Sequence, residues 1–522
     1  MAYGQELLLD RTIFKMKKSA FLIDNSHKME GQKAKEKLKT KWKDLYSSCS
    51  FDGFHYIFDE RGFLRIFWLL MVLGATALSI VLFYGVIEEY YNFKSHTSIE
   101  EVLSNDKVEF PTVTICNINA VSKRKIEKAG YNSSVEEIVS FYQDLREGHF
   151  NANKSNKVLE ELKANGLTKM GDLLKHFEYT FGEIMEDSVL KDIAPRPCMF
   201  KDRECNKDEF TEVISAHYGL CYQFNSIYLE MNRLYANEAG EGAGLRLYLN
   251  IDEEDLLVSN VPFTGLQVFV HPFGEPFESA IARRVPISPG SMNYIHIDYR
   301  QWELLESPYA SACASKNYNL VKKIVPYSQS MCSVDCTMSK MMDKCGCVSE
   351  EFANHLEDKN KTCKYNQIQC VEQMLGNLQQ MLHTCRVQCP RQCLVTKYGI
   401  STGQTAMGNS KVYKMLKQKH NKTIDEGYAF INKNVFGIDV TFSDIVYLKE
   451  TMSPAQNWIS VLSTIGGSLG LAMGCSIVTF IEFIVFGLQA LYWYCKPNDD
   501  NDSSAKETVK NGHAVTNAES NA

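Results

Sequence analysis

Residues 466–483 read GGSLGLAMGCSIVTFIEF. They lie in a run, residues 451–495, whose only Lys, Arg, Asp or Glu is Glu482. Glycine recurs every fourth residue, at Gly466, Gly470 and Gly474. A helix crosses the hydrocarbon core in about 20 apolar residues, so this run is long enough to span a bilayer. A carboxylate inside such a span is costly unless water or a partner reaches it. The stretch therefore carries more than a plain anchor needs.

A second apolar run lies upstream. Residues 66–87, IFWLLMVLGATALSIVLFYGVI, contain no charge and read as another transmembrane helix. It starts too deep in the chain, and without a cleavage pattern, to be a removable signal. The organisation that follows is a tail at 1–62, a first transmembrane helix at 63–87, a large domain at 88–450, a second span at 451–494 and a tail at 495–522. Two crossings put both tails on one side. Residues 1–65 hold 13 Lys and Arg against 9 Asp and Glu, which favours the cytoplasm for the tails.

The chain has 17 cysteines, and 14 of them fall between the two spans. A dense, even set reads as a disulfide framework in an oxidising compartment. Sequons at Asn132, Asn153, Asn360 and Asn421 lie in the same region and place it outside the cell. Zinc is a poor alternative, because no paired CxxC knuckles with matching histidines occur. The fold class is thus a membrane protein of α+β type with two transmembrane helices flanking a disulfide-rich ectodomain.

Alternating patterns predict strands at 112–116, 221–224, 245–251, 266–271 and 436–442. Helical periodicity is better at 135–146, 158–162, 209–215, 328–343, 367–382 and 411–419, with a further helix over 33–46. Cysteines crowd residues 313–393, which suggests a stapled helical lobe beside a β-rich body. The polar tail beyond Lys496 has no aromatic residue and reads as disordered.

FPTVTICN at 110–117, HYGLCYQFNS at 217–226 and the opening stretch together resemble the degenerin/epithelial sodium channel family, which includes acid-sensing and peptide-gated channels. The resemblance covers both spans, the borders of the ectodomain and the cysteine order. It implies a trimer in the plasma membrane, each subunit with palm, knuckle, finger, thumb and β-ball regions and cytoplasmic termini. It implies the pairs Cys116–Cys221, Cys198–Cys205, Cys313–Cys393, Cys332–Cys389, Cys336–Cys385, Cys345–Cys370 and Cys347–Cys363. No cofactor is expected, only permeant sodium, with amiloride as blocker and other family subunits as partners in homo- or heterotrimers.

The resemblance also assigns sites. Gly474-Cys475-Ser476 matches the family's Gly-x-Ser selectivity filter, where the second helix breaks and carbonyls line a wet axis. The bland reading of Gly466 and Gly470 is close helix packing. Three copies of Glu482 would ring the pore just inside the filter; its bland reading is a carboxylate snorkelling to the headgroups. Ser463, Thr464 and Gly467 fall at the family's gate. SFDGFHYIF at 50–58 matches a re-entrant segment at the inner mouth, with Asp52-Gly53 where the family has His-Gly.

The stimulus is less legible. Glu254, Asp255 and Asp439 match carboxylates of acid-sensing members, and crowded acids raise one another's pKa. A run such as DEED is equally a solvated turn. The basic residue expected before GEGAGL is replaced by NEAGEG at 237–242, and the outer-pore aspartate of that branch is Thr464. Protons and a neuropeptide stay open as ligands, as do constitutive or mechanical opening and a non-conducting accessory role. A two-pass nucleotide receptor would need clustered basic residues for triphosphate. No GxSxG, HExxH or usable pair of catalytic carboxylates points to an enzyme.

Overall fold

The computed structural model describes residues 54–103, 107–118, 121–147, 152–215, 218–229, 233–255, 264–375 and 378–495, with Thr40 and Lys43. The chain divides into two units, Met1–Asn92 with Gln456–Ala522, and Phe93–Ala455. The helix expected at 33–46 lies outside the described residues apart from Thr40 and Lys43, which are helical. Asp52 and Gly53 also lie outside them, and the short helix Phe54–Asp59 begins just after.

In the first unit the helix Phe63–Tyr91 has 29 residues and a mean hydropathy of 2.5 over its most apolar window. At 1.5 Å per residue it is about 44 Å long, more than a hydrocarbon core requires. It runs past the expected end at residue 87 through Glu88 and Glu89. Its aliphatic hydroxyls are satisfied within the helix: Thr76 Oγ1 donates to Val72 O at 2.7 Å and Ser79 Oγ to Ala75 O at 2.9 Å. Unpaired donors would be expensive in lipid. The second apolar stretch is two helices, Trp458–Met473 and Ile477–Cys495, and the axis turns by 80° at the break between them.

The ectodomain unit is built on strands β1 (Ser95–Leu103), β2 (Val108–Glu109), β3 (Thr112–Asn117), β4 (Cys198–Phe200), β5 (Arg203–Glu204), β6 (Phe210–Ser215), β7 (Gly219–Phe224), β8 (Tyr235–Ala236), β9 (Leu245–Asn250), β10 (Leu266–His271), β11 (Val285–Ile287), β12 (Ser291–Glu303), β13 (Leu394–Ala406), β14 (Val435–Phe442) and β15 (Val446–Pro454). One sheet runs β1-β15-β12-β14-β9-β4-β5, with β13 also on β12; a second runs β11-β10-β3-β7-β6. Every residue of β7, β10 and β14 is buried, which explains their apolar, β-branched and aromatic runs. Phe110, Phe200, Phe224 and Phe442 pack edge-on or tilted in the core between the sheets, with Phe110 5.1 Å from Phe200. Gly244 sits where a Cβ would strike the Val440 carbonyl oxygen, so only glycine lets β14 approach there.

The expected helix at 209–215 is instead a 3-10 turn, Lys207–Glu209, leading into β6. Thr211, Val213 and Ile214 are β-branched and stiff at χ1, and the ladder to β7 decides the outcome. The expected helix at 367–382 is two helices, Tyr365–Leu375 and Leu378–Gln388.

These two helices pack with Gln329–Cys345 in the stapled lobe. Cys332 and Cys336 stand four residues apart on one helix, and Cys385 and Cys389 four apart on another, so two disulfides cross-link matching faces. The remaining disulfides are Cys116–Cys221, Cys198–Cys205, Cys313–Cys393, Cys345–Cys370 and Cys347–Cys363, which completes the set the resemblance implied. Long closed loops restrict the unfolded chain most, and Cys116–Cys221 spans 105 residues. Asp335, buried in the lobe, accepts from the backbone N–H of Asn319, Leu320 and Val321 at 2.7–3.0 Å and pins the preceding loop.

Candidate functional site

The break in the second span is specified locally. Gly474 takes the left-handed conformation, φ 66°, and its N–H closes on Gly470 O at 2.9 Å, a usual way to stop a helix. Ser476 then starts the next one. Its Oγ accepts from Thr479 N at 3.4 Å, and its own N–H donates to Thr479 Oγ1 at 3.1 Å. Between the two caps the helical ladder is interrupted at residues 474–476. A helix end leaves its last carbonyls without intrahelical donors. Carbonyls freed at membrane depth are tolerable where they meet water or ions. Cys475 is buried, and Glu482 lies half-buried in the helix beyond the break.

Ser463, Gly467 and Gly470 follow at intervals of four and three, so they share one face of Trp458–Met473, and Gly474 continues it. A Cβ added at Gly466 or Gly467 would meet no atom within 4 Å. Ser463 and Thr464 are exposed, and Thr464 Oγ1 donates to Ser460 O at 2.8 Å. The face is therefore narrow and smooth, and among the described residues it is open at Ser463 and Gly467.

The three acidic candidates in the ectodomain have different surroundings. Glu254 is exposed. Asp255 is buried, which alone would push it up. Hydrogen bonds from Ser122, Tyr179 and Arg124 outweigh burial and hold it below the ordinary carboxylate value. Crowding among the acids of the DEED run thus does not raise Asp255. Asp439 is 1% exposed and burial pushes it up, against the pull of Arg246, whose Nε and Nη2 donate to Asp439 Oδ2 at 2.9 and 2.7 Å. The two stand opposite each other in the β9–β14 ladder. Arg246 also reaches Glu241 at 3.1 Å. Sequence reasoning missed Arg246 because its partner is 193 residues away.

A further buried carboxyl carries no signal in the sequence. Glu278 Oε2 is out of solvent and has no hydrogen-bond partner among the described residues. Burial, with Glu351 adding to it, pushes this group up from 4.5 to about 8. Well below pH 4.5 the carboxyl is protonated whether the chain is folded or not. As pH climbs towards 8 the unfolded chain gives up the proton while the folded one keeps it, so stability falls with rising pH. Glu278→Gln is therefore expected to raise the thermal midpoint of the purified protein clearly more at pH 8 than at pH 5. A gain of equal size at both pH values would contradict this.

Of the sequon asparagines, Asn132, Asn360 and Asn421 are exposed; the side chain of Asn153 lies outside the described residues. Asn421 closes the helix Ser410–His420 in the left-handed conformation.

A family model described as the amiloride-sensitive sodium channel matches residues 45–486. The bile acid-sensitive ion channel of Mus musculus is 25% identical over 461 residues, covering 86% of this chain and 88% of that one. The Homo sapiens bile acid-sensitive ion channel is 27% identical, with coverage of 87% and 86%. The acid-sensing ion channel 1 of Gallus gallus is 24% identical, with coverage of 85% and 83%.

Proposed function

We propose, from the premise that the chain belongs to the amiloride-sensitive sodium channel family, that it is the subunit of a sodium-selective, amiloride-sensitive trimeric channel opened by an extracellular stimulus. Members of that family are plasma-membrane ion channels rather than enzymes, and they work as multimers. The observation that carries the reading is the capped break at Gly474-Cys475-Ser476 inside an otherwise apolar span. An anchor has no need of such a break, whereas a narrow pore uses it to present carbonyls to a dehydrating cation. Glu482 supplies the negative potential that concentrates cations and excludes anions. Among stimuli, protons are favoured over a peptide by Asp439, a buried carboxylate raised above its ordinary value.

Voltage clamp of the expressed chain tests the reading. An inward sodium current blocked by amiloride is expected, alone or with a sister subunit. Surface-expressed protein passing no cation current under acid or peptide, with any family partner, would sink it. Glu482→Gln is expected to assemble normally and to lower single-channel conductance severalfold. Unchanged conductance and selectivity would return Glu482 to a snorkelling role.

A further inference from the structure

The stapled lobe meets the sheets along a seam that carries buried titratable groups. Ile227, Tyr228 and Phe273, which follow β7 and β10, pack into the lobe's apolar core with Val325, Met331 and Phe352. The Gly274 backbone lies against the Pro326 ring. Glu275 accepts from Ser330 Oγ at 3.3 Å and from Gln392 Nε2 at 3.1 Å, both from the lobe. Two histidines lie at this seam, His271 at the end of β10 and His355 in the lobe, 1% and 6% exposed. His271 is held as a neutral ring: its Nδ1 donates to Pro272 O at 3.3 Å, so its Nε2 accepts from Thr114 Oγ1 at 2.8 Å. His355 Nδ1 is hydrogen-bonded to the Tyr228 hydroxyl, and its carbonyl accepts from Lys322 N at 3.0 Å. Lys322 Nζ stands 4.9 Å from the centre of the Tyr228 ring.

The charges around the two rings are mostly positive. His271 and Lys322 act on His355, Glu278 and Tyr318 on Tyr228, and Lys359 and Glu357 on Lys322, while the Glu275 backbone faces His271. Among the described residues the only histidine in an ion pair is His420, so neither imidazole at the seam has a carboxylate to balance a proton. Burial pushes both down from 6.5 to about 4. Burial also raises Glu275 and Glu278, so acid takes negative charge from the seam as it adds positive charge. We propose that this seam is an acid-operated clasp, in which protonation of His271 and His355 releases the stapled lobe from the sheets. A released imidazole titrates at its ordinary value of about 6.5. Docking is intact above that value and is lost as pH falls from there towards 4, because the released state takes up protons first. At pH 5.5 a released imidazole is about nine-tenths charged and a docked one almost wholly neutral. That difference favours release by about tenfold for each histidine and about a hundredfold for the two. As the sensor of a proton-opened channel the clasp rests on the proposed function, and measuring it without current separates the two.

Hydrogen exchange of the purified full-length chain at pH 7.5 and 5.5, corrected for the intrinsic pH dependence of exchange, reads the release directly. Residues 319–327 and 352–358, which carry the lobe's side of the seam, are expected to lose about a hundredfold in protection at pH 5.5, and β14 to lose none. His355→Gln should cut that loss to about tenfold, and His271→Gln combined with His355→Gln should remove it. Lys322→Gln withdraws the third cation from His355, so its loss should be smaller than that of the unsubstituted chain. This variant decides the matter if a glutamine substitution has already opened the seam at pH 7.5. Protection of the two segments that holds at pH 5.5, a loss shared equally by β14, or an undiminished loss in Lys322→Gln would each overturn the inference. Acid-activated current from a chain whose seam stays closed would remove the clasp and leave the function standing. Acid release in a chain that passes no current would do the reverse.

Discussion

Ser463→Phe is expected to give sustained inward current without any stimulus. Ser463 lies on Trp458–Met473, eleven residues before Gly474, on the face it shares with Gly467 and Gly470. That face carries no bulky group, and among the described residues no atom lies within 4 Å of a Cβ placed at Gly467. If copies of this helix converge there in the closed state, a phenyl ring in each copy cannot be accommodated, while a wider open state leaves room for it. The closed state then loses stability relative to the open one. A difference of about 1.4 kcal/mol shifts that equilibrium tenfold, and a clash repeated around the axis exceeds it. Ser463→Cys labelled with a bulky thiol reagent should reproduce the effect, and the unlabelled cysteine should gate normally. Stimulus-dependent gating that survives confirmed labelling would show that Ser463 faces lipid or a neighbouring helix instead.

Buried strands were the most legible part of the fold. The pattern at 266–271 predicts β10 residue for residue, and 245–251 and 436–442 predict β9 and β14 to within one residue at an end. These strands lie in sheet interiors, where burial demands apolar side chains and composition follows position. β1 escaped notice for the opposite reason. Its sequence SHTSIEEVL is almost wholly exposed in the chain, and it is held by its backbone ladder to β15 rather than by a buried face. The short helices Phe181–Met185 and Ser188–Ile193 span too few residues for periodicity to register, although Thr180 with Glu183 forms a capping box and Asp187 caps the second helix.

The disulfides show a different limit. Cysteine number and crowding announce a framework, yet seven pairs admit many connectivities, and spacing does not choose among them. The pairing came from the resemblance alone. The structure supplies the physical reason only afterwards, in the matching four-residue intervals of Cys332 with Cys336 and of Cys385 with Cys389. Within the membrane the glycine at 474 and the serine at 476 are legible as helix stop and helix start. The neighbour of a carboxylate is not legible: Asp255 and Asp439 look alike in sequence, yet burial outweighs the pull of Arg246 on Asp439 and raises it, while hydrogen bonds from Ser122, Tyr179 and Arg124 outweigh burial at Asp255 and lower it.

Arg246→Ala is expected to reduce folded, surface-expressed protein severely at neutral pH. The substitution strips the cation from Asp439, which is 1% exposed in the interior strand β14. Breaking a buried ion pair by removing one partner costs about 3–5 kcal/mol, because the remaining charge is buried without compensation. Total stability is only about 5–15 kcal/mol. The sign of the pH dependence follows from Asp439. Burial already raises it above 3.8 with Arg246 in place, and removing Arg246 raises it further. A carboxyl raised in the folded state costs stability as pH rises, because the unfolded chain ionises first; the cost is relieved as pH falls and the folded form takes up a proton. Arg246→Ala should therefore be more damaging at pH 7.5 than at pH 5.5, read as the thermal midpoint of detergent-solubilised protein. Asp439→Asn in the Arg246→Ala background removes the stranded charge and should recover part of the loss, with the pH dependence abolished. If the double variant is no more stable than Arg246→Ala at pH 7.5, the arginine matters through its packing on the sheet and not through the charge of Asp439.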